Sequence, residues 1–443
     1  MRDALFLVVV IAALGVTLRY PFVGVLTWAW FSLMTPHQLA YGVYGLPLNV
    51  LIAGVTLVAI IFSGAFRRFS FDRMTGLLLL LAFWLGVSQV FSLDPANSAL
   101  YFDRYLKMLI FVVVCVQLTT DRLRFHALVW MLVVGIGFFG LKGALFTIAT
   151  LGQYRVQGID QTVLADNNHL GTALATILPM ILYLRAVCAQ PIVRTGLLML
   201  FVATIISIVG TQSRGAFVAL IVFAGFFWLR SKHKVSILAA LALVLAPTIA
   251  FMPAKWGERM ETITAATDDA SFMGRVDAWA INTKLALAHP LTGAGLRNSY
   301  QKDIARTVDP ERSERAKAAH SIYFEMLGGA GFVGLAIYLS ILATAFFSAL
   351  ALSVRRGEAG LDPWIPKFGY YAHISLAVFC VGGAAVSLEM WDGYFIIIAL
   401  IAAAAKLSRG EAQTGRAWIR PQQPAWRMSA RDRQVRRPAD VGR

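Results

Sequence analysis

Three observations predict an all-α fold: a polytopic membrane helix bundle of about 12 transmembrane helices with one large outward loop. Hydrophobic residues make up 58% of the 443 positions and charged residues 14%. A soluble domain carries about 25% charged residues, so polar side chains here could not cover a water-facing surface. Apolar runs recur along the whole chain, and Lys and Arg collect in every second connection between them, the pattern of cytoplasmic helix ends. The formal net charge of +16 belongs to those connections and a basic tail, so no nucleic-acid partner is expected. The same composition excludes disorder and a disulfide scaffold. Cys115, Cys188 and Cys380 sit inside apolar runs and read as packing residues, without a disulfide or a metal motif.

The runs fall near 4–18, 22–34, 47–62, 74–92, 105–119, 127–150, 166–184, 196–211, 214–229, 236–252, 320–353, 368–387 and 390–406. Connections 64–73, 120–126, 185–195, 230–235 and 354–367 together hold thirteen Lys and Arg and are placed inside. Connections 35–46, 92–104, 151–165, 212–213 and 388–389 hold only Arg104 and Arg155 and are placed outside. Arg19-Tyr20-Pro21 separates the first two runs. A broken or re-entrant segment making one net crossing is expected there, with both chain ends inside. Arg2 and the apolar stretch after it lack a small-residue cleavage site and read as a retained membrane segment.

Four regions follow: helices over 1–252, a large loop over 253–319, helices over 320–406 and a basic cytoplasmic tail over 407–443. The loop holds ten Lys and Arg against nine Asp and Glu, a near-neutral balance that predicts a folded segment. Val276, Trp279, Ala280, Thr283 and Leu287 predict an amphipathic helix over Gly274–His289, lying on the bilayer or capping the bundle. Pro290 ends it. The tail reads as a disordered segment near anionic lipid.

Polar residues at membrane depth are costly, which makes them functional candidates. They gather on the outward side. Arg214, in Ser213-Arg214-Gly215-Ala216, is either a snorkelling interfacial side chain or half of a bidentate anion site. Arg155 precedes Ala165-Asp166-Asn167-Asn168-His169, where an N-cap explains one residue of the group. His320 and Ser321 open a long apolar helix that continues through Tyr323 and Glu325 to a glycine-rich stretch, Gly328–Gly334. Arg275 lies in Gly274-Arg275-Val276-Asp277-Ala278-Trp279, and Arg297 follows Gly293-Ala294-Gly295-Leu296. The latter is a weak nucleotide-loop signal, because GxxxxGK[ST] is missing. DxD, HExxH and CxxC motifs are also missing, and Asp268-Asp269 alone is a poor metal site. Glu325 is the main helix-interior acid, with Glu389 and Asp392 at an outer turn. A relay of intramembrane carboxylates is absent, which argues against an ion-coupled carrier.

The order of these motifs resembles the O-antigen ligase and O-antigen polymerase superfamily of bacterial inner-membrane glycosyltransferases. Asp-Asn-Asn-His opens one helix and Ser-Arg-Gly-Ala another. A long loop follows with Gly-Arg-x-x-x-Trp and Gly-x-Gly-Leu, then His-Ser before the glycine-rich stretch. The pattern covers roughly residues 150–340. The N-terminal region is similar to exosortase-associated O-glycosylation ligases, which implies a possible protein acceptor. The resemblance implies a GT-C-like membrane fold with its large loop and active site facing the periplasm. It also implies transfer of a glycan from undecaprenyl diphosphate to a hydroxyl of lipid A–core, without cofactor or metal. On that reading His320 is the base, at the family's histidine position. Arg214 leads the groups on the diphosphate, helped by Arg155, Arg275 and Arg297, because guanidinium holds phosphate oxygens bidentately. His169, Asn167, Ser321 and Tyr323 are secondary candidates. O-antigen polymerase, a protein O-oligosaccharyltransferase and a lipid-linked glycan transporter are the alternatives; arginines gathered at one face favour an enzyme over a transport path.

Overall fold

The computed structural model describes residues 2–65, 69–230, 270–358 and 360–415. The expected run at 236–252, the basic residues Arg67, Arg68, Lys232 and Lys234, loop positions 253–269 and the tail from 416 onward lie outside the described residues. Among the described residues there is no strand.

The long helices are α1 (Arg2–Arg19), α2 (Pro21–Met34), α3 (Leu48–Phe62), α4 (Arg73–Val90), α5 (Pro95–Leu118), α6 (Arg122–Ala149) and α7 (Asn167–Val187). They continue with α8 (Pro191–Gly210), α9 (Arg214–Arg230), α10 (Ala270–Ala288), the short α11 (Lys302–Val308), α12 (Ile322–Val354), α13 (Trp364–Gly383) and α14 (Asp392–Gly415). Their starts are written in the sequence. The carboxylates of Asp72, Asp94, Asp121 and Asp166 each accept a first-turn N–H, satisfying donors that the helix cannot. Pro21, Pro95 and Pro191 open α2, α5 and α8, where the missing N–H costs nothing. Among the described residues five helices, α4, α6, α7, α8 and α12, are long and apolar enough to cross a membrane. Side chains such as Phe62, Phe83, Leu145 and Phe347 are exposed on the flanks, an apolar surface suited to lipid and not to water.

The alternation of charge matches which connections meet. At one end Lys406 pairs with Asp72 at 2.9 Å and Arg122 with Asp362 at 2.9 Å, joining three basic connections and the α14 terminus. At the other, Tyr44 donates to Gln161 at 3.3 Å, Gln212 to the Gly152 carbonyl at 3.0 Å and Asn97 to Asn298 at 2.8 Å. The functional candidates stand at this second end.

Three expectations are corrected. First, α1 and α2 are an antiparallel hairpin and not a single net crossing. Phe6 packs on Trp30 and Phe31, and the Gly42 N–H donates to Asp3 at 2.8 Å, so residues 3 and 42 share the second end. A short break at Tyr20 gives room for reversal that charge counting cannot detect. Second, α10 buries Ala278, Ile281 and Leu285, the last two in a small core with Ala294 and Ala305, while Leu287 is 66% exposed; the buried stripe is rotated from the expected one because the rest of the loop packs on it. Third, α12 is broken at Gly331, whose φ of 71° and ψ of −173° suit glycine alone. Gly293 (φ 68°) docks there: a Cβ on it would lie 2.6 Å from the Gly331 nitrogen. The Ala294 and Gly295 N–H groups donate to the Gly328 and Gly329 carbonyls at 2.8 and 3.1 Å. The Gly-Ala-Gly-Leu segment therefore spends its amides on the helix break, leaving none of these for a phosphate.

Candidate functional site

His320 stands immediately before Ser321, the N-cap of α12. Its φ is 47°, the left-handed region, which costs a non-glycine residue about 1–3 kcal/mol. The preceding peptide is held from both sides. Trp279 Nε1 on α10 donates to the Ala319 carbonyl at 2.7 Å, and the Ala319 N–H donates to Glu325 Oε1 at 2.9 Å. The Trp279 ring also stacks on Phe324 at 5.1 Å, 9° from parallel. Glu325 Oε1 in turn accepts from Tyr300 at 2.7 Å and Ser387 at 2.6 Å. Backbone strain at His320 is thus maintained by contacts reaching back about forty positions and forward more than sixty.

The second imidazole is His169, in the first turn of α7. Its Nδ1 lies 2.8 Å from the Val163 carbonyl. A carbonyl only accepts, so Nδ1 carries the proton and the lone pair of the neutral ring is on Nε2. That Nε2 is buried with no hydrogen-bond partner, as is Nδ1 of His320, and the two rings are 6.3 Å apart. Burial first, then Arg275 and His169, with Lys317 adding to them, push His320 down to about 4 against an opposing pull from Asp166. At neutral pH His320 is uncharged and able to take a proton.

The arginines divide. Arg275, in the second turn of α10, acts on His320 directly, and the Lys317 ammonium lies against Gly274. Arg214 opens α9, whose Ala216 N–H is capped by the Ser213 hydroxyl at 3.2 Å. Asn167 ties this turn to α7 by donating to the Thr211 carbonyl at 2.8 Å, and Gly171 packs on Ala216 and Thr211. The helix starts bearing Arg214 and His169 are therefore neighbours. Arg155 is exposed on a segment joined to the same turn through Val156 N–H to Gly210 at 2.9 Å. Arg297 is different. It pairs with buried Glu389 at 3.0 Å and faces the Tyr101 ring at 4.9 Å. Burial would loosen its proton, but Glu389, Tyr300 and Glu325 outweigh that and hold it above its ordinary value. Its charge is committed to the interior, at variance with the diphosphate role expected of it.

Ser321 is buried at the cap without a side-chain capping bond. Tyr323 donates to the Cys380 carbonyl at 2.8 Å, fastening α12 to α13. Trp279, Glu325, Lys317 and Asp166 are the members that residue typing passes over as site residues. For Glu325 a signal exists: an acid four residues after an N-cap serine can reach back to an orphan N–H, as in a capping box displaced by one position. Among the described residues no group of three His, Cys, Asp or Glu side chains could hold a metal ion.

An all-helical bundle with helices long and apolar enough to cross a membrane is that of a multi-pass membrane protein. Residues 199–339, about a third of the chain, match the family model described as O-antigen ligase, which supports a glycosyltransferase-type enzyme of the O-antigen ligase superfamily. Residues 1–189 match a family of unknown function. No curated protein matches the chain.

Proposed function

We propose that the chain is an O-antigen ligase: an inverting, metal-independent glycosyltransferase moving a glycan from undecaprenyl diphosphate to a hydroxyl of lipid A–core. The reaction is placed at the periplasmic face of the bacterial inner membrane, with about 12 crossings in all. The observation that carries this reading is the 6.3 Å pairing of His320 and His169 beside Arg275 and Lys317, in a chain with an O-antigen ligase match.

The acceptor oxygen attacks the anomeric carbon opposite the diphosphate. The carbon–oxygen bond to phosphate breaks and the lipid diphosphate departs with the electron pair. The hydroxyl proton passes to His320, help worth about 10²–10⁴ in rate. A base held near 4 is weak in the free protein. A diphosphate bound among Arg275, Lys317, Arg214 and Arg155 offsets the charge that lowers it, so donor binding raises His320 toward neutral pH. His169 Nε2 is placed to receive the proton next or to hold the acceptor.

Purified protein in nanodiscs, given undecaprenyl-diphosphate glycan and lipid A–core, is expected to transfer the glycan in EDTA, and His320→Ala to abolish transfer while remaining inserted. Transfer by His320→Ala at the wild-type rate, or a strict divalent-ion requirement, overturns the reading. Extension of the donor glycan in place of ligation assigns a polymerase.

A further inference from the structure

A second site lies behind the histidine pair. A cavity of about 560 Å³ is bounded by α2, α3, α5, α6, the 161–164 segment and the start of α14. It shares a wall with the site: Val163, which lines it, accepts the His169 Nδ1–H. The outer rim is polar, with His37, Gln38, Asn49 and Gln161. Its α3 and α6 walls are apolar in depth, while α5 brings Asp103, Arg104 and Lys107 to the wall between them. Leu57 lies nine residues into α3 past Leu48 and Phe139 ten before the end of α6, which puts both about 13–15 Å inward at 1.5 Å per residue.

Three features specify the occupant. His37 Nδ1, Gln38 Oε1, Asn49 Oδ1 and Trp391 Nε1 are buried without hydrogen-bond partners, and buried polar atoms left unpaired call for a ligand or water that supplies the missing bonds. Trp28 and Trp391 line it with the little of their rings that Phe111 and Phe379 leave uncovered. The lining charges cancel: Lys107 pairs with Asp103 at 2.6 Å, and Asp392 is the main acid acting on Arg104. Burial lowers His37, so it adds no charge at neutral pH. A diphosphate or phosphorylated head would find no net attraction here, whereas the cations around His320 offer it.

We infer that this cavity seats the acceptor, and that the acceptor presents an uncharged, hydroxyl-rich head on an apolar chain, the chemistry of a neutral glycolipid. This rests on the transfer reading and departs from it in the acceptor: a neutral glycolipid stands in place of lipid A–core, whose phosphorylated part does not suit the cavity.

Gly54 permits a clean test, because it lines the cavity and a Cβ there meets nothing within 4 Å. Gly54→Phe fills the space without touching the polar rim, and Asn49→Leu removes one unpaired oxygen. Full-length protein in phosphatidylcholine nanodiscs is titrated with octyl glucoside or decyl phosphate, without donor, and thermal unfolding is followed. Octyl glucoside is expected to raise the midpoint of the wild type but not of Gly54→Phe, and less in Asn49→Leu; decyl phosphate is expected to raise none. Equal stabilisation by decyl phosphate, or retained stabilisation of Gly54→Phe, overturns the inference. With donor present, Gly54→Phe is expected to raise the acceptor KM at least tenfold while the donor KM stays. An unchanged acceptor KM after binding is lost marks a packing lipid and overturns the acceptor assignment. Binding is read without turnover, so failure of transfer with every acceptor sinks the transfer reading separately.

Discussion

Trp279→Phe isolates the positioning of His320 from its chemistry. The substitution keeps an aromatic ring over Phe324, where the stack is now 5.1 Å between centroids. It removes the 2.7 Å bond from Nε1 to the Ala319 carbonyl. Ala319 is fully buried, so its carbonyl loses a partner that water cannot replace, at about 1–3 kcal/mol. The left-handed conformation at His320 stores about 1–3 kcal/mol, and one of its two restraints is gone. The penalties are equal in size, so the 319–320 backbone is expected to relax and move the imidazole off His169. If that energy is lost from the transition state alone, kcat falls about 5- to 150-fold at 1.36 kcal/mol per decade. Single-turnover transfer in nanodiscs, with donor and acceptor KM measured alongside, reads it. A kcat within twofold of wild type would refute the clamp, and a KM effect without a kcat effect would place Trp279 in binding.

The remaining predictions are shorter. His320 must be neutral to act, so activity is present above its pKa and lost as pH falls through it. The acid limb of kcat/KM, which reports the free protein, is expected near pH 4, and the limb of kcat, which reports the donor complex, at higher pH. Arg275→Gln removes a charge that lowers His320 and is expected to shift the kcat/KM limb upward; a downward shift contradicts the electrostatic account. Arg214→Lys keeps the charge but not the planar fork, and transfer is expected to drop about 10²–10³-fold, read as kcat with membrane insertion checked by fluorescence-detected gel filtration. Glu389→Ala strands Arg297, which is 22% exposed, and is expected to destabilise by about 3 kcal/mol. Adding Arg297→Leu should restore most of the loss in thermal unfolding, whereas two additive losses would show that the pair is not coupled.

Much of the architecture was legible because lipid imposes strong rules. A spanning helix needs about 20 apolar residues, and Lys and Arg mark one side, so run boundaries and shared ends follow from local composition. The histidines and Arg275 were singled out by motif order, and the structure brings them together. What was not legible depends on contacts between distant positions. Gly331 reads as one more small residue in a helix until Gly293 is seen docked against it. Arg297 reads as an outward cation until Glu389, more than ninety positions later, takes its charge. Trp279 and Glu325 read as packing and as an isolated acid until both are found on Ala319, the residue preceding His320.

The same reasoning explains why charge, a local property, can separate two ligands that meet at one reaction centre. Arg297 is a cation already balanced inside, by Glu389, and so is not one that a departing diphosphate can draw on. On the acceptor side a net charge would compete for the donor, so the Asp103–Lys107 pair and the opposition of Asp392 to Arg104 keep that cavity from attracting diphosphate. If this division is the basis of selectivity, Asp392→Asn removes the main acid opposing Arg104, leaving the weaker pull of Glu389, and should turn decyl phosphate into a ligand of the cavity and an inhibitor competitive with acceptor. Inhibition competitive with donor in that variant would locate the anion among the histidines instead, and the division of the two sites by charge would fall.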